Sequence, residues 1–217
     1  MALVLFDLDN TLLSGDSDHE WGNFLVKKNL VDGPSYSAAN EAFYEQYKAG
    51  CLDIVEYSAF SFTPLTRHSM EELHALREEF LQSVVLPMIG QKAKDLVKFH
   101  RENGDILAVI TATNSFITSP IVEYFQIDHL IATEVKVVNG RYVNEIDGIP
   151  CYQDGKVQRL ENWMASQGLS LEGSVFYSDS INDLPLLEAV ENPVAVDPDP
   201  QLRELAQSRE WKIISLL

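Results

Sequence analysis

Short, wholly apolar runs alternate along the chain with longer segments in which apolar residues recur every three or four positions. Leu3 to Phe6 is the first such run; it ends in acidic residues and reads as a buried parallel strand that delivers its carboxyl end to solvent. Ile106 to Ile110, Leu130 to Thr133, Val175 to Tyr177 and Pro193 to Val196 have the same texture. Helical periodicity fills the gaps: Lys92 to Asn103 with Ala93, Leu96 and Val97 on one face and Gly104 placed to cap it, then Ser119-Pro120 to Phe125. Lys156 to Ser166 is helical and stopped by Gly168, and Leu184 to Val190 and Gln201 to Gln207 follow, before a closing Trp211 to Ile214. Asn139-Gly140 in the middle of Val135 to Val143 is a hairpin signal.

From about Asp16 to Pro87 the texture is helical throughout, with Trp21, Phe24 and Leu25 near one face and Leu73, Leu76, Phe80 and Leu81 in steps of three and four. This stretch reads as a helical insertion after the first strand. Strands alternating with helices elsewhere predict an α/β fold with a doubly wound parallel sheet, whose ligands bind at the carboxyl ends of the strands.

Composition narrows the function. With 217 residues the chain is long enough for one domain, or one plus an insertion. A formal net charge of −17 repels phosphate backbones and anionic lipid, and no Lys/Arg cluster offers a local exception, so neither nucleic acid nor membrane is expected as a partner. The N-terminal apolar run is too short for a secretory segment and no stretch approaches membrane-spanning length, which predicts a soluble, cytoplasmic protein. Cys51 and Cys151 lack metal-binding or redox spacing and read as two small buried hydrophobes. The five histidines have no ligand-like spacing either.

The chemistry gathers just after the strands. Asp7-Leu8-Asp9-Asn10-Thr11 follows the first, Thr111-Ala112-Thr113-Asn114 the second, and Asp179-Ser180-Ile181-Asn182-Asp183 a later one, while Lys156 opens a helix that precedes it. Asp7 and Asp9, two apart, leave an extended backbone on the same face. Two like charges ~4 Å apart repel by about 4 kcal/mol at an effective dielectric near 20, and a bound cation removes that cost. Oxygen ligands without His or Cys point to Mg²⁺. A carboxylate, a cation, a strand-end hydroxyl and a lysine are the parts of phosphoryl transfer, in which an Asp can attack phosphorus.

Asp7-Leu8-Asp9-Asn10-Thr11-Leu12, Thr111, Lys156 and Asp179-Ser180-Ile181-Asn182-Asp183 match, in order, the four motifs of the haloacid dehalogenase superfamily, and the chain resembles its phosphoserine phosphatase-like branch, which includes histidinol-phosphate phosphatases. The resemblance implies a Rossmann-like hydrolase core (residues 1–15 and 88–217) and a helical C1 cap (16–87). It implies Asp7 as nucleophile and Asp9 as the acid that protonates the leaving alkoxide and then activates water. Mg²⁺ would be held by the Asp7 and Asp179 carboxylates and the Asp9 carbonyl. Thr111 and the Ala112 N–H would hold the phosphoryl group, Lys156 would offset charge, and Thr11 and Asp183 would support the site.

Relatives specific for phosphoserine place an acidic residue shortly after the first motif to meet the substrate amine and an arginine in the cap to grip the carboxylate. Asp16 stands at the acidic position, but Ala49 to Thr66 contains no Lys or Arg. A substrate with cationic or neutral character beside the phosphate and no carboxylate is therefore expected, with L-histidinol phosphate the leading candidate and phosphoserine the alternative. Asp16, Asp18, Glu20, Asp53 and Glu56 are candidates to pair with its cationic groups, Trp21, Tyr47 and Phe62 to stack on its ring, and Asn182 to contact substrate. A phosphomutase shares the first step, and a phosphoacceptor signalling domain shares the residue types but lacks a helical insertion. The partner is thus a small phosphorylated metabolite, and the chain a monomer or homodimer.

Overall fold

A computed structural model describes residues 2–217. Six parallel strands form the central sheet in the order β3-β2-β1-β6-β7-β8: β1 (Leu3–Phe6), β2 (Ile106–Asn114), β3 (His129–Thr133), β6 (Val175–Ser178), β7 (Asn192–Val196) and β8 (Lys212–Ile214). The strand order reverses at β1, between β2 and β6, which is where a doubly wound sheet opens its ligand crevice. Alternation along β1 splits the interior in two: Val4 and Phe6 face one buried cluster, Leu3 and Leu5 the other.

The expected insertion is helical: α1 (Ser17–Lys27), α2 (Gly33–Lys48), α3 (Ile54–Phe62) and α4 (Met70–Phe80), then a π turn over Leu81–Val85. Asp16, Asp53 and Ser69 cap α1, α3 and α4, the last through a capping box with Glu72. Trp21, Phe24, Leu25, Leu73 and Phe80 share one buried cluster with Val4, Phe6 and Val109, so α1 and α4 continue the core of the sheet. Across α2 the one fully buried residue is Asn40, and its rings meet those of α3, Tyr36 on Phe60 at 4.4 Å and Phe43 against Tyr57 at 5.4 Å. The two helices form a roof whose underside is aromatic.

The remaining helices are α5 (Gln91–Glu102), α6 (Ser115–Tyr124), α7 (Asp154–Gln167), α8 (Leu184–Ala189) and α9 (Pro200–Ser208). Strand β2 runs four residues past the predicted Ile110, and α6 starts earlier than expected because the Asn114 side chain caps the Ile117 N–H. The hairpin, β4 (Val135–Val138) and β5 (Arg141–Ile146), turns through Asn139 and Gly140, both at positive φ. It forms a separate two-stranded sheet and leans on the insertion, where Asn144 Nδ2 donates to Thr63 Oγ1 at 3.1 Å. Of the two cysteines, Cys151 is buried as expected and Cys51 is exposed, because it lies in the open link between α2 and α3. Among the described residues no helix is long and apolar enough to cross a membrane.

Candidate active site

Asp7 is the first residue past β1, and its N–H donates to the Tyr177 carbonyl at 2.9 Å, which sets it at the mouth of the reversal point. Lys156 reaches it from the first turn of α7. Its Nζ lies 2.8 Å from Asp7 Oδ1 and 2.6 Å from Asp183 Oδ1, and all three side chains are at most 3% exposed. Ser178 Oγ completes the chain by donating to Asp183 Oδ2 at 2.7 Å. Asp183 uses neither oxygen to cap α8, so its carboxylate is committed to the lysine.

The loop before α7 makes this approach possible at a backbone cost. Gln153 sits at φ +48, and a Cβ on Gly155 would lie 2.1 Å from the Pro150 carbonyl oxygen, so only glycine fits there. Burial lowers the affinity of Lys156 for its proton, but the charges of Asp183 and Asp7 outweigh it and hold the ammonium form above its ordinary range. Burial also pushes the Asp7 carboxyl up to about 7, against the pull of Lys156.

Asp9 is clamped from two elements. The Ser17 N–H, at the N-terminus of α1, donates to Oδ1 at 2.6 Å and Thr113 Oγ1 donates to Oδ2 at 2.7 Å. Burial, followed by the charge of Asp16, pushes its carboxyl to about 7, which brings its titration close to neutrality. Thr113 lies beside Thr111 and Ala112 at the end of β2, with the Thr113 N–H on Thr111 Oγ1 at 3.2 Å.

Across β1 from β2, Asp179 accepts from Thr11 Oγ1 at 2.9 Å. Burial and the nearby Asp7 charge push its carboxyl well above the usual range. Asp199, on the next loop, ties this segment down: its N–H donates to the Asp179 carbonyl at 2.8 Å and its carboxylate takes the Ile181 N–H at 2.6 Å. Among the described residues no group of three or more His, Cys, Asp or Glu side chains is gathered as a ligand cage. Mg²⁺ typically takes one or two carboxylates and fills its other positions with water and substrate oxygens. Asp7 and Asp183 share the ammonium of Lys156, while the buried Asp179 carboxylate faces the charges of both with a hydroxyl, Thr11 Oγ1, as its side-chain partner. The donor set fits the ion.

Above this floor the cavity is walled by Asp16, Asp18, His19, Asn40, Phe43, Tyr44, Tyr47 and Tyr57, with Leu52 and Ile54 at its edge. Burial pushes Asp16 and Asp18 to about 7. Asp16 doubles as the N-cap of α1, accepting from the His19 N–H at 2.8 Å. Six of the residues expected to contact substrate lie elsewhere. Trp21 is 1% exposed, packed among Phe24, Phe80 and Phe116, and does not line the cavity; Phe62 is buried likewise. Asn182 is also off the wall, spending its amide on the Tyr47 carbonyl at 2.8 Å and its carbonyl on the Tyr152 hydroxyl at 3.2 Å, so it joins α2 to the core. Glu20, Asp53 and Glu56 stand outside the cavity as well.

The haloacid dehalogenase-like hydrolase family matches residues 4–188, which spans all four motifs. The chain belongs to this family. It is similar to a histidinol-phosphatase of Neisseria meningitidis serogroup C, 42% identical over 98% of each chain. A crystal structure of a Bordetella pertussis Tohama I protein of unknown function superposes with a TM-score of 0.94 at 44% identity, over 100% of this chain and 99% of that one. A substrate-bound phosphoserine phosphatase shares the haloacid dehalogenase fold, with a TM-score of 0.73 at 18% identity over 98% and 92% of the two chains.

The family motifs located the floor but not its fastenings. Thr113, Ser17, Ser178 and Asp199 each hold a motif residue. Only Thr113 carried a signal, its place two residues after Thr111 at a strand end. Asn40, Phe43, Tyr44 and Tyr57 carried none, since a roof helix is as amphipathic as a core helix.

Proposed function

We propose that this phosphoric monoester hydrolase acts in the cytoplasm on a small amino-alcohol phosphate, L-histidinol phosphate, with Mg²⁺ as cofactor and an aspartyl-phosphate on Asp7 as intermediate. The observation that carries the substrate reading is the cavity wall. Asp16 and Asp18 stand among the rings of Phe43, Tyr44, Tyr47 and Tyr57, and among the described residues no lysine or arginine lines it. A substrate carboxylate would meet the Asp16 and Asp18 carboxylates with no guanidinium or ammonium on the wall to grip it, whereas an ammonium and an imidazole find acceptors and stacking faces. Similarity to the Neisseria histidinol-phosphatase supports the same reading.

Asp7 Oδ1 is occupied by Lys156, which leaves Oδ2 to attack phosphorus. As that bond forms, the phosphorus–oxygen bond to the alcohol breaks and Asp9 gives its proton to the departing alkoxide. Asp9 then takes a proton from water, whose oxygen attacks the phosphorus, releasing inorganic phosphate and restoring Asp7. Lys156, the Thr111 hydroxyl and the Ala112 N–H hold the phosphoryl oxygens through both steps. Mg²⁺, held by the Asp7 and Asp179 carboxylates and the Asp9 carbonyl, would supply positive charge to the phosphoryl oxygens. With Mg²⁺ present, kcat/KM for L-histidinol phosphate should exceed that for phosphoserine by about tenfold or more. A preference for phosphoserine overturns the substrate reading, and a phosphorylated isomer in place of inorganic phosphate would make the enzyme a mutase.

A further inference from the structure

Asp18 has a feature that the chemistry of phosphate removal does not use. Its side chain is 8% exposed and lines the cavity, yet Oδ1 is buried with no hydrogen-bond partner among the described residues. A buried carboxylate oxygen left unpaired costs several kcal/mol, and proteins rarely leave one without a partner that arrives from outside. The neighbouring groups belong to the roof. The Tyr57 hydroxyl lies against Asp18 and favours its charged form, and Asn40, whose amide donates to the His19 carbonyl at 2.9 Å, closes the same side.

Asp16 and Asp18 face different neighbours. Asp16 has an oxygen taken by its own helix, accepting from the His19 N–H at 2.8 Å, whereas the buried Asp18 oxygen is open and shares the cavity wall with Tyr57 and Phe43 of the roof. The wall thus offers two carboxylates beyond the reacting ones, Asp16 and Asp18. A substrate bearing one amine needs only the first of these. The second has an open oxygen and rings on the facing helices.

We propose that Asp18, aided by Tyr57, is a second cation subsite that accepts an N–H from a nitrogen heterocycle on the substrate's far end, and so selects an amino-alcohol phosphate carrying such a ring over one carrying a plain hydrocarbon ring. This rests on the amino-alcohol phosphate reading above and deepens it. The ring lies under α2 and α3 with its N–H on Asp18, while the ammonium next to the phosphate takes Asp16.

The test compares two compounds that differ only in the ring, L-histidinol phosphate and L-phenylalaninol phosphate. The readout is the ratio of their kcat/KM values or, for a compound not turned over, of competitive inhibition constants against p-nitrophenyl phosphate. The ratio cancels any loss common to both. Wild-type enzyme should favour the imidazole compound by about tenfold or more, the range of a hydrogen bond to a charged partner. Asp18→Asn should bring the ratio to within about threefold of one, and Tyr57→Phe should lower it by a smaller factor. The Tyr57→Phe protein carries the test if the Asp18 variant does not fold. No preference in the wild type, or an undiminished preference in the variants, overturns the subsite. A wild type that prefers phosphoserine to both compounds, yet loses ring discrimination in Asp18→Asn, overturns the substrate reading and leaves the subsite standing.

Discussion

At the floor of the cavity Lys156 is held between Asp7 and Asp183 at 2.8 and 2.6 Å, and both oxygens of Asp9 and of Asp183 have partners; on the wall, the Asp18 carboxylate keeps a buried oxygen with none. The floor stands on strand ends and helix N-termini that the hydrophobic core makes rigid. The wall stands on α1 and on a roof whose α2 buries a single residue completely. Reacting groups lose rate if they wander, so their geometry is fixed before substrate arrives. Recognition groups gain selectivity by staying incomplete until the correct ligand completes them, because the wrong ligand then leaves them unpaired.

The sharpest way to break the floor is to remove the nucleophile. Asp7→Asn should lower kcat by about 10⁴-fold or more, measured as phosphate release, while circular dichroism stays native because Asn occupies the same volume. Residual turnover within tenfold of wild type would refute the aspartyl-phosphate route.

A smaller effect should come from Trp21, which belongs to neither region of the site. Trp21→Ala removes a ring that is 1% exposed and should cost about 3–5 kcal/mol of stability, read as a lowered denaturant midpoint. The ratio of kcat/KM between histidinol phosphate and phosphoserine should not move in the protein that remains folded. A changed ratio would return Trp21 to the binding surface.

Adding Mg²⁺ should have the mildest effect and should act on the floor alone. The Asp7 carboxyl is raised from 3.8 to about 7 in the folded metal-free protein, so the native state binds more protons than the unfolded chain between those values and loses stability as pH rises through them. A cation favours the ionised form, so its stabilisation must grow over the same window. Saturating Mg²⁺ should raise Tm by about 5 °C at about pH 8 and by less than about 2 °C at about pH 5.5, and a chelator should reverse it. An equal shift at both pH values would place the ion away from Asp7.

Much of the floor was legible because strand ends are local features. Leu3 to Phe6 is apolar and Asp7 is not, and the same break occurs before Asp179; a parallel strand buried on both faces has to emerge at such a break. The expected start of α6 near Ser119-Pro120 lies a turn too late, because the Asn114 side chain caps the helix and Pro120 sits inside it. Asp16 was legible through the family resemblance, which expects an acidic residue shortly after the first motif, and Asp18 stood as one acid among several.

By itself the sequence determined the order of strands and helices, the helical insertion after β1, and the residue types at the site, since each depends on periodicity or on neighbours within a few positions. Only the tertiary structure separated Trp21 from Tyr44, Tyr47 and Tyr57, and Asp18 from Glu20, Asp53 and Glu56. Asp18 and Trp21 lie on the same helix, three residues apart; one faces the cavity and the other Phe80 and Phe116. Periodicity distinguishes a helix face turned to water from one turned away. Whether a face turned away meets a packed core or a cavity depends on what lies across from it, and those residues come from distant parts of the chain.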